Sequence, residues 1–241
     1  MIKVTYLDHS GFAVETPDVL MVFDYYRDPA HKVKKTLEHR PDLPVVFFVT
    51  HRHHDHFSHE IFDLGQSHKR QYIISNDVKD KDIHFDMPIG WMSHGDKIED
   101  LLGGLTVRAF GTTGRGCSFV VTTADGKNIF HAGELGESPS HNDDSPRDIH
   151  AYREKFEVAV GRIAEAQPTF DLAFMAVEPV DNPDFAQAAV YFLEKANVAV
   201  FIPYHTDDPK DKACDFASYP FTKDVATRMV CLAKPGESAE I

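Results

Sequence analysis

Apolar positions in this chain cluster in short runs, and most of the runs alternate rather than repeat every three to four residues. IKVTYL, FAVET and LMVFDYY, within the first 26 residues, read as three strands separated by polar or Gly/Pro punctuation. VVFFV (Val45 to Val49) is continuously apolar and too short for a helix, which predicts a strand covered on both faces. YIIS (Tyr72 to Ser75), LTVRAF (Leu105 to Phe110), CSFVVTT (Cys117 to Thr123) and NIFHA (Asn128 to Ala132) predict further strands. ADGK, between the last two, carries the Asp-Gly signal of a tight hairpin turn.

Helical periodicity comes later. Phe156, Ala159, Val160 and Ile163 share one face of a helix over Asp148 to Ala166. Phe185, Ala188, Ala189, Phe192, Leu193 and Ala196 mark a second, and Lys223 to Leu232 a last one. LAFMAV (Leu172 to Val177) and VAVFIP (Val198 to Pro203) alternate with them as strands. Ser58 is placed to cap a short helix through EIFDL. Arg27 to Leu43 reads as loop or broken helix, the segment before Gly104 as short strands and turns, and Gly133 to Pro146 as a long polar loop. With no repeat, linker or low-complexity tract, the order predicts one domain over 1–241, with sheets at its centre and helices outside.

Composition adds exclusions. The chain is 42% hydrophobic and 26% charged, so its core can close without staples. A formal net charge of −13 repels phosphate backbones and anionic lipids, which argues against a nucleic-acid or membrane partner. No apolar run approaches the roughly 20 residues of a bilayer span. The N-terminus has no apolar signal core. Cys117, Cys214 and Cys231 are odd in number and lack C-x-x-C spacing, so they are expected as reduced thiols in a cytoplasmic protein. Oligomeric state is not legible.

Histidine is the anomaly. There are 15 in 241 residues, and five fall in THRHHDHFSH, Thr50 to His59. In an extended chain, alternate residues face the same side, so His51, His53 and Asp55 can converge. A turn after them would bring His56 alongside. Three imidazoles and a carboxylate are donors for zinc or another divalent first-row metal. His54 and His59 fall outside this spacing. Rival chemistries find less: GTTGRG (Gly111 to Gly116) lacks the lysine of a phosphate-binding loop, no G-x-S-x-G elbow exists, and Cys117 lies in a strand-like run.

HRHHDH resembles the HxHxDH metal-binding signature of the metallo-β-lactamase-fold superfamily. DHSGFAVET, VFDYY, NIFHAGEL and FIPYHTDD follow the order of a poorly characterised branch of metal-dependent hydrolases in it. The resemblance implies a four-layer αββα sandwich with the metals at one edge of two sheets. It implies that His51 and His53 bind a first metal, Asp55 and His56 a second, and that His205 is the terminal histidine ligand. Glu134 stands where a bridging aspartate is usual. Thr112 stands where many members have a third histidine for the first metal, and His131 is the nearest substitute in sequence. Asp24 and His9 match positions that orient ligands or face substrate.

The implied activity is hydrolysis of a small-molecule ester, lactone, thioester or phosphodiester by a metal-activated water, with Asp55 orienting that water. One or two divalent ions are expected, with zinc first and manganese, iron or nickel as alternatives. The altered residues at 112 and 134 leave a second reading open: a metal-stabilised binding or sensor module of the same fold without turnover.

Overall fold

A computed structural model describes residues 1–78, 83, 87–136, 146–177, 186–204, 212–223 and 225–241. In the first sheet, β1 (Lys3–Asp8), β2 (Gly11–Glu15) and β3 (Leu20–Phe23) form an antiparallel meander. Helix α1 (Lys32–His39) then leads to β4 (Val45–Val49), which runs parallel to β3. Next come β5 (Arg70–Ser75) and β6 (Ile89–Met92), both added in parallel.

The second sheet begins with β7 (Lys97–Leu101), β8 (Leu105–Gly111), β9 (Cys117–Thr122) and β10 (Asn128–His131), paired antiparallel in sequence. Helix α2 (Pro146–Ala166), β11 (Thr169–Ala176), helix α3 (Gln187–Lys195) and β12 (Asn197–Tyr204) extend it in parallel. Two short edge strands complete the sheets: β13 (Arg228–Met229) beside β12, and β14 (Ser238–Glu240) beside β1. Among the described residues, each sheet has seven strands.

Period-2 alternation explains the layering. On β3 and β4, Met21, Phe23, Val46 and Phe48 point inward to meet Val107, Phe119, Val121, Leu172 and Phe174 of the other sheet. Their neighbours Leu20, Val22, Val45 and Phe47 point outward and pack under Val33 and Leu37 of α1. On the far side, Phe130, Phe170 and Phe201 pack under Phe156, Val160 and Ile163 of α2 and Phe192 of α3. Three apolar interlayer cores and two sheets make the αββα sandwich. All five residues of β4 are buried, as its unbroken apolar run requires.

Two expectations need correction. No helix spans Lys223 to Leu232: a 3-10 turn ends at Lys223, and Arg228–Met229 joins the sheet. Val230 and Leu232 are both buried in the inter-sheet core, so this segment alternates with period two, and backbone pairing to β12 satisfies it. The cysteines are not three free thiols either. Cys214 and Cys231 are bonded, with their Cα atoms 5.3 Å apart, and Cys117 alone is free and buried. An odd count does not distinguish one pair plus a buried thiol from three thiols, so the step from reduced cysteines to a reducing compartment loses its premise. Among the described residues, no helix is long and apolar enough to cross a membrane.

Candidate metal centre

Because β3, β4 and β5 run parallel, their C-terminal ends lie along one edge. Asp24 follows β3, Thr50 and the histidine stretch follow β4, and His131 and Glu134 lie at the end of β10 in the facing sheet. The sheets close tightly here. Cys117 N–H donates to the Thr50 carbonyl across the sheets at 2.9 Å, and within the second sheet Tyr204 Oη–H donates to the Gly133 carbonyl at 2.9 Å.

Asp24 organises the floor. It is fully buried and held at a left-handed φ of 43°. Its Oδ1 accepts the Thr50 N–H at 2.8 Å; its Oδ2 accepts the Thr50 hydroxyl at 2.6 Å and His56 Nδ1 at 2.7 Å. Thr50 has one hydroxyl proton, and it goes to the carboxylate. Toward His51 Nδ1, 3.0 Å away, Thr50 Oγ1 can therefore only accept. Both rings thus carry a proton on Nδ1, which leaves Nε2 as the nitrogen each can turn to a metal.

Charge states follow the same arrangement. Burial resists ionisation of Asp24, but His56, His131 and His51 more than offset it and hold the carboxyl at about 2. Burial, followed by His56, drives His51 down to about 3, so it stays neutral. Burial also presses His56 down, yet the charge and hydrogen bond of Asp24, with Asp55 and Glu134, raise it above its ordinary value.

Among the described residues, two overlapping groups have donor atoms mutually within 4.8 Å: Asp24, His51 and His56, and His51, His53 and Glu134. In the second group, His53 Nδ1 lies 3.0 Å from His51 Nε2 and 3.5 Å from Glu134 Oε1. The oxygens of Asp24 are taken by Thr50 and His56, so its part in the first group is to orient rings. His56 Nε2 lies 3.9 Å from Asp55 Oδ2, and His9 Nδ1 reaches the same oxygen at 3.7 Å. His51, His53 and Glu134 are thus brought together, His56 lies beside His51, and Asp55 lies beside His56 through a turn rather than an extended chain. Imidazoles and carboxylates converging on one edge fit a divalent cation.

His131 is brought close but is engaged elsewhere. Its Nε2 donates to the Ser10 carbonyl at 3.0 Å, and its Nδ1 accepts the Gly133 N–H at 3.2 Å. The ring stacks on Phe23 at 5.3 Å and Tyr204 at 5.5 Å, completely buried. Both ring nitrogens serve the backbone, so its role is to support the floor. His54 is 89% exposed and points away. His205, expected as the terminal ligand, lies outside the described residues. Sequence reasoning missed Thr50 and Ser10. Thr50 directly precedes the histidine motif, and Ser10, inside HSGF, has its Oγ 3.0 Å from His56 Nδ1.

A family model described as beta-lactamase superfamily domain matches residues 3–149. No curated protein matches the sequence. Among solved structures, the chain is similar to Igni18, a metallo hydrolase from the hyperthermophilic archaeon Ignicoccus hospitalis. That likeness has 18% identity and a TM-score of 0.67, and covers 99% of this chain and 97% of that one. It is also similar to CmlA, a diiron beta-hydroxylase from Streptomyces venezuelae, with 10% identity and a TM-score of 0.64, over 100% of this chain and 54% of that one. YhfI from Bacillus subtilis, a metallo-beta-lactamase fold protein, matches with 15% identity and a TM-score of 0.62 over 100% of both chains.

Proposed function

The chain belongs to the beta-lactamase superfamily, and from that premise we propose that it is a metal-dependent hydrolase of a small-molecule ester, lactone, thioester or phosphodiester. The observation that carries the reading is the convergence of His51, His53 and Glu134 at the sheet edge, beside His56 and Asp55. A divalent cation held there supplies Lewis-acid polarisation of substrate and water at neutral pH. Zinc is proposed as the resident ion, with manganese, iron or nickel as alternatives.

This chain's own residues have separable roles in that reading. His51 and His53 hold the first position, and Asp55 and His56 the second, with His205 proposed to complete it. Asp24 and Thr50 keep His51 and His56 in the ligating tautomer. Asp55 is 20% exposed with His9 against its Oδ2, so it can receive a proton from an attacking water and hold that water in line. The partner proposed is a small molecule, not nucleic acid or membrane, bound by a protein of one domain. The fold alone does not choose the reaction, since it also carries a hydroxylase in CmlA.

The test is metal analysis of protein purified without chelator, followed by a hydrolysis panel over the four substrate classes. One or two equivalents of metal, with turnover lost in His53→Ala, are expected. Absence of metal even after incubation with added zinc overturns the metal-centre reading. Stoichiometric metal without turnover on any class overturns the hydrolase.

A further inference from the structure

The loop from Gly111 to Gly116 is where the superfamily pattern expects a third histidine for the first metal, and here it holds Thr112. The Thr112 hydroxyl donates to the Arg115 carbonyl at 2.8 Å, so this side chain closes its own loop. Thr113 and Gly114 fasten the loop to the segment that carries Glu134. The Thr113 hydroxyl donates to the Gly136 carbonyl at 2.8 Å, Gly136 N–H returns to Thr113 Oγ1 at 3.0 Å, and Gly114 N–H donates to the Glu134 carbonyl at 3.3 Å.

The Glu134 side chain lies along Gly114. A Cβ at 114 would stand 2.5 Å from Glu134 Oε2, 2.6 Å from its Cδ and 2.7 Å from its Cγ. Oε2 accepts the Arg115 N–H, and Oε1 faces His53 Nδ1 at 3.5 Å. One oxygen is thereby fixed by the loop and the other is turned to the histidine pair.

We infer that Glu134 and Gly114 act together: the bare backbone at 114 admits a carboxylate one methylene longer than aspartate, and that carboxylate takes the third-ligand place at His51 and His53 that a histidine at 112 would hold. The inference rests on the metal-centre reading. It turns a three-imidazole face into two imidazoles and a carboxylate, a set with one more negative charge and a harder donor, suited to manganese and iron as well as zinc.

Zinc affinity, measured by competition against a chromophoric chelator, is the readout, with melting in excess EDTA as the check on folding. Gly114 is not among the positive-φ residues, so alanine there changes only the contact with Glu134. Gly114→Ala and Glu134→Ala are each expected to lose about tenfold or more in zinc affinity, at least the scale on which outer ligand partners act. Combining the two should lose no more than Glu134→Ala alone. Thr112→His in the Glu134→Ala background should recover affinity. Wild-type affinity in Glu134→Ala, or in a Gly114→Ala protein whose EDTA melting is unchanged, overturns the inference. If Gly114→Ala does not fold, the Thr112→His arm decides, and affinity no better than Glu134→Ala alone overturns it. A wild-type protein that binds no zinc fails the metal-centre reading itself, a separate result.

Discussion

Asp24 Oδ2 and His56 Nδ1 are 2.7 Å apart, with the two side chains 0% and 5% exposed. A carboxylate this deep in a sandwich core is costly unless every oxygen is paired, and Asp24 meets that condition with Thr50 and His56. Asp24→Asn keeps the shape but removes the charge, and its amide meets donors on each side. We expect a stability loss of about 3–5 kcal/mol, as for breaking a buried pair. Zinc affinity should also fall about 10–100-fold as the His51 and His56 tautomers are released. Urea unfolding in EDTA reads the first effect and chelator competition the second. Unchanged zinc affinity would show that the carboxylate does not set the rings.

The histidines fix how the metal-free protein responds to pH. His51 is driven to about 3, first by burial, and His131 is lowered by the same cause, so both stay neutral in the fold while the unfolded chain protonates near 6.5. Their effect is a loss of stability as pH falls below 6.5, approaching about 1.4 kcal/mol per pH unit for each. His56 works in the other sense. Burial opposes its charge, but Asp24 raises it above 6.5, so its contribution is complete below 6.5 and is lost as pH rises through the raised value. Asp24, held at about 2 against an ordinary 3.8, contributes fully above 3.8 and loses that contribution only as pH falls toward 2. Melting temperature in EDTA should therefore peak near pH 6.5 and fall more steeply on the acid side. A melting temperature that keeps rising down to pH 5 contradicts this assignment.

What could be read from the sequence follows from which interactions are local. The unbroken apolar run of VVFFV and the alternation of LTVRAF each report a strand's own two faces, so those strands were legible. His51, His53 and His56 sit within six residues, so their nearness to one another was legible too. Glu134 was found only through resemblance, because it meets His53 across the two sheets. Thr50 and Gly114 carry no signal alone: one acts through a carboxylate 26 residues earlier, the other by lacking a Cβ opposite a side chain on another segment. The edge strands Arg228–Met229 and Ser238–Glu240 are too short and polar to announce themselves, and they exist because β12 and β1 offer free edges.

The bond between Cys214 and Cys231 closes a loop with a sequence separation of 17, whose entropy in the unfolded chain gives about 3 kcal/mol of stabilisation. Cys231→Ser should lower stability by about 2–4 kcal/mol in non-reducing buffer. Dithiothreitol should lower the wild type to the same level and leave Cys231→Ser unmoved. A thiol count of three in unfolded, unreduced protein would instead place both cysteines in the free state.

Gly116 and Gly126 both have positive φ, 66° and 83°, but differ in what surrounds them. At Gly126, in the hairpin turn, a Cβ would meet nothing within 4 Å, so alanine adds only backbone strain of about 1 kcal/mol. At Gly116 a Cβ would stand 2.0 Å from the Thr50 carbonyl oxygen and 2.6 Å from His51 Cβ. The carbonyl cannot rotate aside, because Thr50 donates its own N–H to Asp24 and its carbonyl accepts from Cys117. Gly116→Ala must therefore push the β8–β9 loop away from His51. It should cost about 3 kcal/mol or more, strain and overpacking together. If the protein still folds, zinc affinity should drop, because His51 moves with Thr50. Gly126→Ala should bind zinc as the wild type does. Equal stability costs at the two glycines in parallel urea titrations would show that the loop does not press on the His51 backbone.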